Sequence, residues 1–174
     1  MDVPLVYLGL GSNLGDRAGA IALAIRKLPV YGLRVLTTAQ LYETEPWGVT
    51  DQPRFLNSAC IATTLLPPMR VMQAAKAIER ALGRTPSRRW GPRVIDIDLL
   101  IYEGVAIHTT ELTVPHPGLI HRASVLVPLA EIAPDLRHPI THRTILDHLQ
   151  TLGTTPGVAA YPPGLASSNE FRSP

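Results

Sequence analysis

Asp96 and Asp98 stand two residues apart in Val94-Ile95-Asp96-Ile97-Asp98-Leu99. The alternation is strict, and side chains alternate faces along a strand. Ile95, Ile97 and Leu99 therefore point one way and the two aspartates the other. Residues two apart on one strand face lie roughly 6.5–7 Å apart at Cα, so both carboxylates can converge on one or two cations. Hard oxygen donors of this kind suit Mg²⁺, which commonly takes one or two carboxylates and fills its shell with water and phosphate oxygens. The plainer reading is a half-buried strand with solvated aspartates on its open face. Asp is depleted in strands, however, and two on one face repel each other unless something cationic compensates.

The segment before this strand supplies cations. Gly83-Arg84-Thr85-Pro86-Ser87-Arg88-Arg89-Trp90-Gly91-Pro92-Arg93 contains four arginines and no acid. The planar guanidinium binds phosphate oxygens in pairs and never loses its charge. Phosphoryl-type transfer asks a protein for positioning and charge neutralisation more than for covalent help. Any one of these arginines could equally be a solvated loop residue. Arg93, three positions before Asp96, has the strongest claim to the site. Carboxylates and arginines together point to a magnesium-dependent, ATP-using transferase.

These residues need a scaffold. Leu5 to Leu8 reads as a strand running into the loop Gly9 to Asn13. Asp16 is a helix N-cap, with Ile21, Ile25 and Leu28 at helical spacing and Pro29 and Gly32 as the stop. Strands follow at Arg34–Tyr42 and Leu56–Leu66, separated by a loop of turn formers from Glu43 to Pro53. Pro67-Pro68 opens a second helix with Val71, Ala75, Ile78 and Leu82 on its apolar stripe and Gly83 just past its end. Val94 to Tyr102 is the next strand. The order β-α-β-β-α-β predicts an α+β, ferredoxin-like fold, an antiparallel sheet flanked by helices, with both of these helices on one face. A hairpin near Val105 to Val114 and two extra C-terminal helices complete it. The second of these is capped by Thr144 with Asp147 three positions on. The expected organisation is a single catalytic domain, 1–153, and a flexible tail, 154–174, rich in Pro, Gly and Ser.

Composition excludes several classes. The net charge of +2 is too small for a general nucleic-acid binder. No apolar stretch nears the ~20 residues of a membrane span, and Met1-Asp2-Val3-Pro4 lacks the basic lead of a signal peptide. The lone Cys60, in an apolar run, reads as a buried small hydrophobe and fits a reducing cytoplasm. The glycines at 9 and 11 are not followed by Gly-Lys-Ser/Thr, and position 14 is Leu, so neither a P-loop nor a dinucleotide fingerprint is present. They form a tight turn that helps line the site. His138, His142 and His148 match no standard metal spacing and read as surface or cap residues. A ferredoxin-like RNA- or nucleotide-sensing module would carry aromatics on its central strands, but Ser58-Ala59-Cys60-Ile61-Ala62 carries none. An Asp-x-Asp nucleotidyltransferase remains the competing enzyme class.

Five segments in order carry a family resemblance. They are Gly11-Ser12-Asn13-Leu14-Gly15, Tyr42-Glu43-Thr44-Glu45-Pro46-Trp47-Gly48, Asp51-Gln52-Pro53-Arg54-Phe55-Leu56-Asn57, Arg89 to Asp98, and Leu112-Thr113-Val114-Pro115-His116. Over roughly Val6 to Pro134 the chain resembles the hydroxymethyl-dihydropterin pyrophosphokinases of folate biosynthesis. The resemblance implies transfer of a pyrophosphoryl group from ATP to the pterin hydroxymethyl oxygen, with release of AMP. It implies that Asp96 and Asp98 ligate two Mg²⁺ ions and that Arg84 and Arg93 stabilise the phosphates in transit. By the same resemblance Glu79, Arg84, Arg93, Thr113, His116 and Arg122 bind ATP. Thr44, Pro46, Trp47, Phe55, Asn57, Trp90 and Asp96 line the pterin pocket, with Phe55 stacked on the ring and Asn57 on its polar edge. Ser124 stands where the family commonly has a second stacking aromatic, and Pro117 where some members have an aromatic beside the histidine. The expected partners are the two small-molecule substrates alone, with no nucleic acid and no membrane, and the expected state is a cytoplasmic monomer.

Overall fold

The computed structural model describes residues 3–46, 48, 50–85, 91–155 and 157–162. Strand β1, Leu5–Ser12, leads into helix α1, Arg17–Lys27. The Asp16 carboxylate accepts the Gly19 amide at 2.9 Å and so satisfies one of the open N–H groups at the helix start. A 3₁₀ turn over Leu28–Tyr31, with Pro29 inside it, ends at Gly32, whose φ of +84° only glycine adopts cheaply. Strands β2 (Arg34–Thr38), β3 (Tyr42–Thr44) and β4 (Phe55–Thr63) follow, then helix α2, Pro68–Ala81. Strand β5 spans Asp96–Tyr102, and the hairpin β6–β7 pairs Ile107–His108 with Thr113–Val114. Helices α3 (Ala123–Ile132) and α4 (Ile145–Leu152) and strand β8 (Val158–Ala160) follow among the described residues.

The main sheet is antiparallel, in the order β5-β1-β4-β3-β8, with β2 also paired to β4. Alternation along β1 divides the core. Val6, Leu8 and Leu10 face α1 and α2 and pack with Ile21 and Ile78. Tyr7, with Ala59 and Ile101, faces the other way and packs with Leu126 and Leu129 of α3 and Ile145 of α4. Each such leucine or isoleucine, fully buried, contributes roughly 1.5–3 kcal/mol. The expected α+β architecture is present, with the first two helices on one face and the extra helices on the other.

Three expectations need correction. The strand read as Arg34–Tyr42 is two short strands, both on β4: the Ala39 amide still bonds to the Ala59 carbonyl at 2.8 Å, but the Ala39 carbonyl accepts the Ser58 hydroxyl at 2.9 Å instead of a ladder amide. Tyr42–Thr44 resumes pairing with β4, so the loop begins after Thr44 rather than at Glu43. Val158–Ala160, within the segment expected to be a flexible tail, forms β8 on the outer edge of β3. The rest of that expectation, residue 156 and residues 163–174, lies outside the described residues.

His138 and His148 are also not surface groups. They are 5% and 7% exposed and meet edge to face with ring centroids 5.6 Å apart. His138 Nδ1 accepts the Thr141 amide at 3.2 Å, and His148 Nε2 lies 2.7 Å from the Thr141 hydroxyl. The pair thus knots the turn that precedes the Thr144–Asp147 capping box of α4. Burial comes first in holding both imidazoles below their ordinary value of 6.5. His148 and His142 add to this at His138, and Arg143 adds at His148, only partly offset by Asp147. Unfolding therefore takes up protons, and the stability these residues contribute is present above the ordinary value and is lost as the pH falls below it. Between about pH 7 and about pH 5 the thermal midpoint should fall, and His148→Gln should flatten that fall. Identical pH profiles for the two proteins would show that the pair is not the acid-sensitive element.

Candidate active site

A cleft opens on the α3 side of the sheet. Its floor is Gly9 and Gly11 of β1, and its walls include Phe55 and Asn57 of β4, Asp96 and Asp98 of β5, and Thr44 and Glu45 at the end of β3. Arg93, Arg122 and Ser124 also line it. Strand register explains the layout. Gly9 sits opposite Asp98 and Gly11 opposite Asp96, with Asn57 across from Gly11 on the other side. Glycine keeps the floor uncrowded at this point: a Cβ on Gly11 would lie 3.0 Å from Asn57 Oδ1, and one on Gly9 would lie 3.3 Å from Leu100. Sequence reading placed these glycines in a turn. They are strand residues whose missing side chains leave room above the sheet.

Asp96 is held by cations on two sides. Arg93 Nε lies 3.0 Å from its Oδ2, Arg84 Nη1 donates to its Oδ1, and Lys76 Nζ is 3.8 Å from the same oxygen. Burial acts against the charge, but Arg93, Arg84 and Lys76 together outweigh it and hold the Asp96 pKa below the ordinary carboxylate value. Behind this layer sits Glu79, 2% exposed on α2. Its Oε1 accepts the Ile97 amide at 2.7 Å and lies 2.8 Å from Lys76 Nζ and 2.9 Å from Arg84 Nη1. Burial pushes its pKa up, while the Lys76 and Ile97 hydrogen bonds work to lower it. Glu79 therefore fixes β5, an outer strand, and orients both cations that face Asp96.

Asp98 is different. Among the described residues no hydrogen bond or ion pair holds its carboxylate. Burial, and then the charge of Asp96, push its pKa up, and His116, Lys76 and Arg93 offset this only in part. The His116 amide bonds to the Leu100 carbonyl at 2.8 Å, and its Nδ1 accepts the Gly118 amide at 3.0 Å, which leaves the ring proton on Nε2. Burial keeps this imidazole neutral against the pull of Asp98, aided by Arg122. A cation-binding role fits this donor set, since one carboxylate is paired and its neighbour is not.

The opposite wall is set by two amides. Asn57 Nδ2 donates to the Thr44 hydroxyl at 2.7 Å, which joins β4 to β3. Asn13, 2% exposed, uses both side-chain donors and its side-chain oxygen across two loops. Its Nδ2 donates to Gln52 Oε1 at 3.1 Å and to the Pro53 carbonyl at 3.0 Å, and its Oδ1 accepts the Arg93 amide at 2.8 Å. The Asn13 amide returns a bond to the Arg93 carbonyl at 3.0 Å. Arg93 is then placed with its guanidinium over the Phe55 ring, 5.3 Å from the centroid.

The structure brings Thr44, Phe55, Asn57, Arg93, Asp96, Asp98 and Arg122 to one cleft, with Arg84 touching Asp96. Glu79 stands behind the cleft rather than in it. Pro46 is buried, and Thr113, near His108 on the β6–β7 hairpin, lies to the side; neither lines the cleft. Trp47 and Trp90, expected at the pterin pocket, lie outside the described residues, as does Arg88. Lys76 and the clamping role of Asn13 went unread. Lys76 had a signal, since it precedes Glu79 by three positions on α2, the spacing of a helical ion pair.

A model of the family described as 7,8-dihydro-6-hydroxymethylpterin-pyrophosphokinase (HPPK) matches residues 7–134. The 2-amino-4-hydroxy-6-hydroxymethyldihydropteridine pyrophosphokinase of Methylorubrum extorquens is 53% identical over 131 residues, 75% of this chain and 83% of that protein. The protein of the same name from Aquifex aeolicus is 43% identical over 140 residues, 80% of this chain and 87% of its own. Among solved structures, an HPPK-DHPS crystal structure in complex with substrates aligns with a TM-score of 0.72 at 14% identity. That alignment covers 87% of this chain and 43% of the solved one, and it bears on the fold alone.

Asn13→Ala should leave the Arg93 N–H and the Pro53 carbonyl without partners, at a cost of about 1–3 kcal/mol. Urea unfolding at constant slope reads this as a lower midpoint. An unchanged midpoint would mean that Asn13 does not bear the two loops.

Proposed function

This chain belongs to the 7,8-dihydro-6-hydroxymethylpterin-pyrophosphokinase family, and from that premise we propose that Asp96 and Asp98 hold two Mg²⁺ ions at the phosphates of ATP. The reaction is the transfer of pyrophosphate from ATP to 6-hydroxymethyl-7,8-dihydropterin, with release of AMP, in folate biosynthesis. The observation that carries the metal assignment is Asp98, a carboxylate without a partner among the described residues beside one surrounded by cations. Hard, adjacent carboxylate oxygens suit Mg²⁺. Bound there, Mg²⁺ supplies neutralisation of phosphate charge and a lowered pKa for the pterin hydroxyl.

The chain's own residues do the positioning. Arg84 and Arg93 now spend their charge on Asp96, and both can exchange that carboxylate for phosphate oxygens when the nucleotide enters. Arg122, at the start of α3, and His116, with its proton on Nε2, offer further donors to ATP. Glu79 binds the nucleotide site indirectly, by orienting Arg84 and Lys76. At the other end of the cleft, Asn57 and Thr44 face the polar edge of the pterin. Phe55 stacks on the heterocycle with the ring face that Arg93 leaves open. Ser124 lines this end and brings no second aromatic. No helix among the described residues is long and apolar enough to cross a membrane. We place the protein in the cytoplasm, a reading supported by its single, buried cysteine, and take it to act as a monomer.

Incubated with Mg²⁺, ATP and the hydroxymethyl-dihydropterin, the protein should release AMP only when the pterin is present. Chelation of the metal should stop turnover. Asp96→Asn and Asp98→Asn should each lower the rate on the order of a hundredfold or more, with an unchanged circular dichroism spectrum. Near-normal rates in both variants would remove them as metal ligands.

A further inference from the structure

Strand β3 has only three residues, Tyr42–Thr44, yet it carries Thr44, the partner of Asn57, and runs directly into Glu45 of the cleft wall. On its inner side β4 pairs with it. On its outer side the pairing comes from the end of the described chain: Thr44 opposite Val158, Glu43 opposite Ala159 and Tyr42 opposite Ala160. Two further backbone bonds extend the seam past both ends. The Glu45 amide donates to the Gly157 carbonyl at 3.2 Å, and the Tyr161 amide to the Leu41 carbonyl at 2.8 Å. A three-residue strand paired on one side alone would be a weak edge. Residues 157–161 make it an interior strand.

The segment is anchored as well as paired. Tyr161 packs against the core on the α1 side, and the Arg17 guanidinium lies over its ring, 5.9 Å from the centroid. Arg17 also pairs with Glu43 at 2.9 Å and donates to the Arg54 carbonyl at 2.9 Å, just before Phe55. One arginine thus joins α1, β3, the start of β4 and the C-terminal segment. At the other end, Gly157 has φ +78° and passes so close to Glu45 that a Cβ would lie 2.9 Å from Glu45 Cγ. This seating requires glycine in both conformation and space. The family match stops at residue 134, so nothing in it accounts for this strand.

We propose that residues 157–161 are a positioning segment for the pterin end of the cleft, holding β3 so that Thr44 and Glu45 keep their place beside Asn57. The proposal rests on the placement of the pterin at Thr44 and Asn57. Among the described residues, no hydrogen bond or ion pair joins β5, α2 or Arg93, which build the phosphate end, to residues 157–161. Loss of the segment should therefore separate the two substrates. Gly157→Val and Tyr161→Ala should raise KM for the pterin on the order of tenfold, with KM for ATP close to wild type even where the lost seating lowers the thermal midpoint. Tyr161→Phe, which keeps the ring under Arg17, should restore the wild-type pterin KM. Asn57→Ala is measured beside them. If it leaves the pterin KM unchanged, the pterin has been placed wrongly. If it raises that KM while Gly157→Val and Tyr161→Ala do not, the positioning role of the segment fails alone. Equal rises in both KM values with a lowered midpoint would make the segment merely structural and would equally overturn the proposal.

Discussion

Two carboxylates on one face of β5, both taken largely out of water, set the problem that the surrounding structure answers. Each loses hydration, and each raises the cost of charging the other. For Asp96 the answer is internal: Arg84, Arg93 and Lys76 supply enough positive charge to keep it ionised despite burial. For Asp98 the described chain supplies no partner, and its pKa moves the other way. Residues of one type, two apart on one strand, are therefore given opposite electrostatic characters. A site prepared to accept a cation has this form, with one ligand already charged and the other gaining most from the cation's arrival.

That division depends on Glu79. A buried carboxylate with two cationic neighbours and a backbone donor is a satisfied group, and its three partners are all parts of the Asp96 environment. Ile97 lies between the two aspartates, while Arg84 and Lys76 reach Asp96 directly. Remove its charge and the amide of β5, the aim of Arg84 and the reach of Lys76 all lose their common reference. The residue that resemblance assigns to ATP thus acts one layer back. Its influence on the proposed nucleotide site passes through Arg84 and Lys76.

What could be read from the sequence was what local physics decides. Strict alternation over Ile95–Leu99 put both aspartates on one face, Asp16 and Thr144 capped the helices as their side chains predict, and Gly83 ended α2 with φ +89°. What could not be read depends on tertiary partners. The break at Ala39 goes with the Ser58 hydroxyl taking its carbonyl, not with a breaker residue. β8 has a sequence as plain as Val-Ala-Ala, and only the free edge of β3 makes it a strand. His138 and His148 looked like polar loop residues because a histidine's burial is set by the turn that closes over it. Asn13 sits in a recognisable Gly-Ser-Asn motif, yet its bonds run to residues about forty and eighty positions away, 3.0 Å from Pro53 O and 2.8 Å from Arg93 N. Gly9 and Gly11 were visible as glycines, but the register that sets them beneath Asp98 and Asp96 was not.

The two ends of the cleft are consequently built by different means. The proposed phosphate end is held by charge: Glu79 behind the site, Asp96 and Asp98 within it, and three cations around Asp96 whose positions each limit the others. Its geometry follows from Coulombic forces acting over short distances in a poorly hydrated place, where such forces are strong. The pterin end is held by backbone pairing and single hydrogen bonds, Thr44 to Asn57 and β3 between two neighbours. Arg93 links the ends, since its backbone is clamped by Asn13, its guanidinium meets Asp96, and the same group lies over Phe55. A nucleotide that draws Arg93 away from Asp96 also changes what covers the Phe55 ring. Under the proposed placement of nucleotide and pterin, Arg93 is then a side chain through which the two would be coupled.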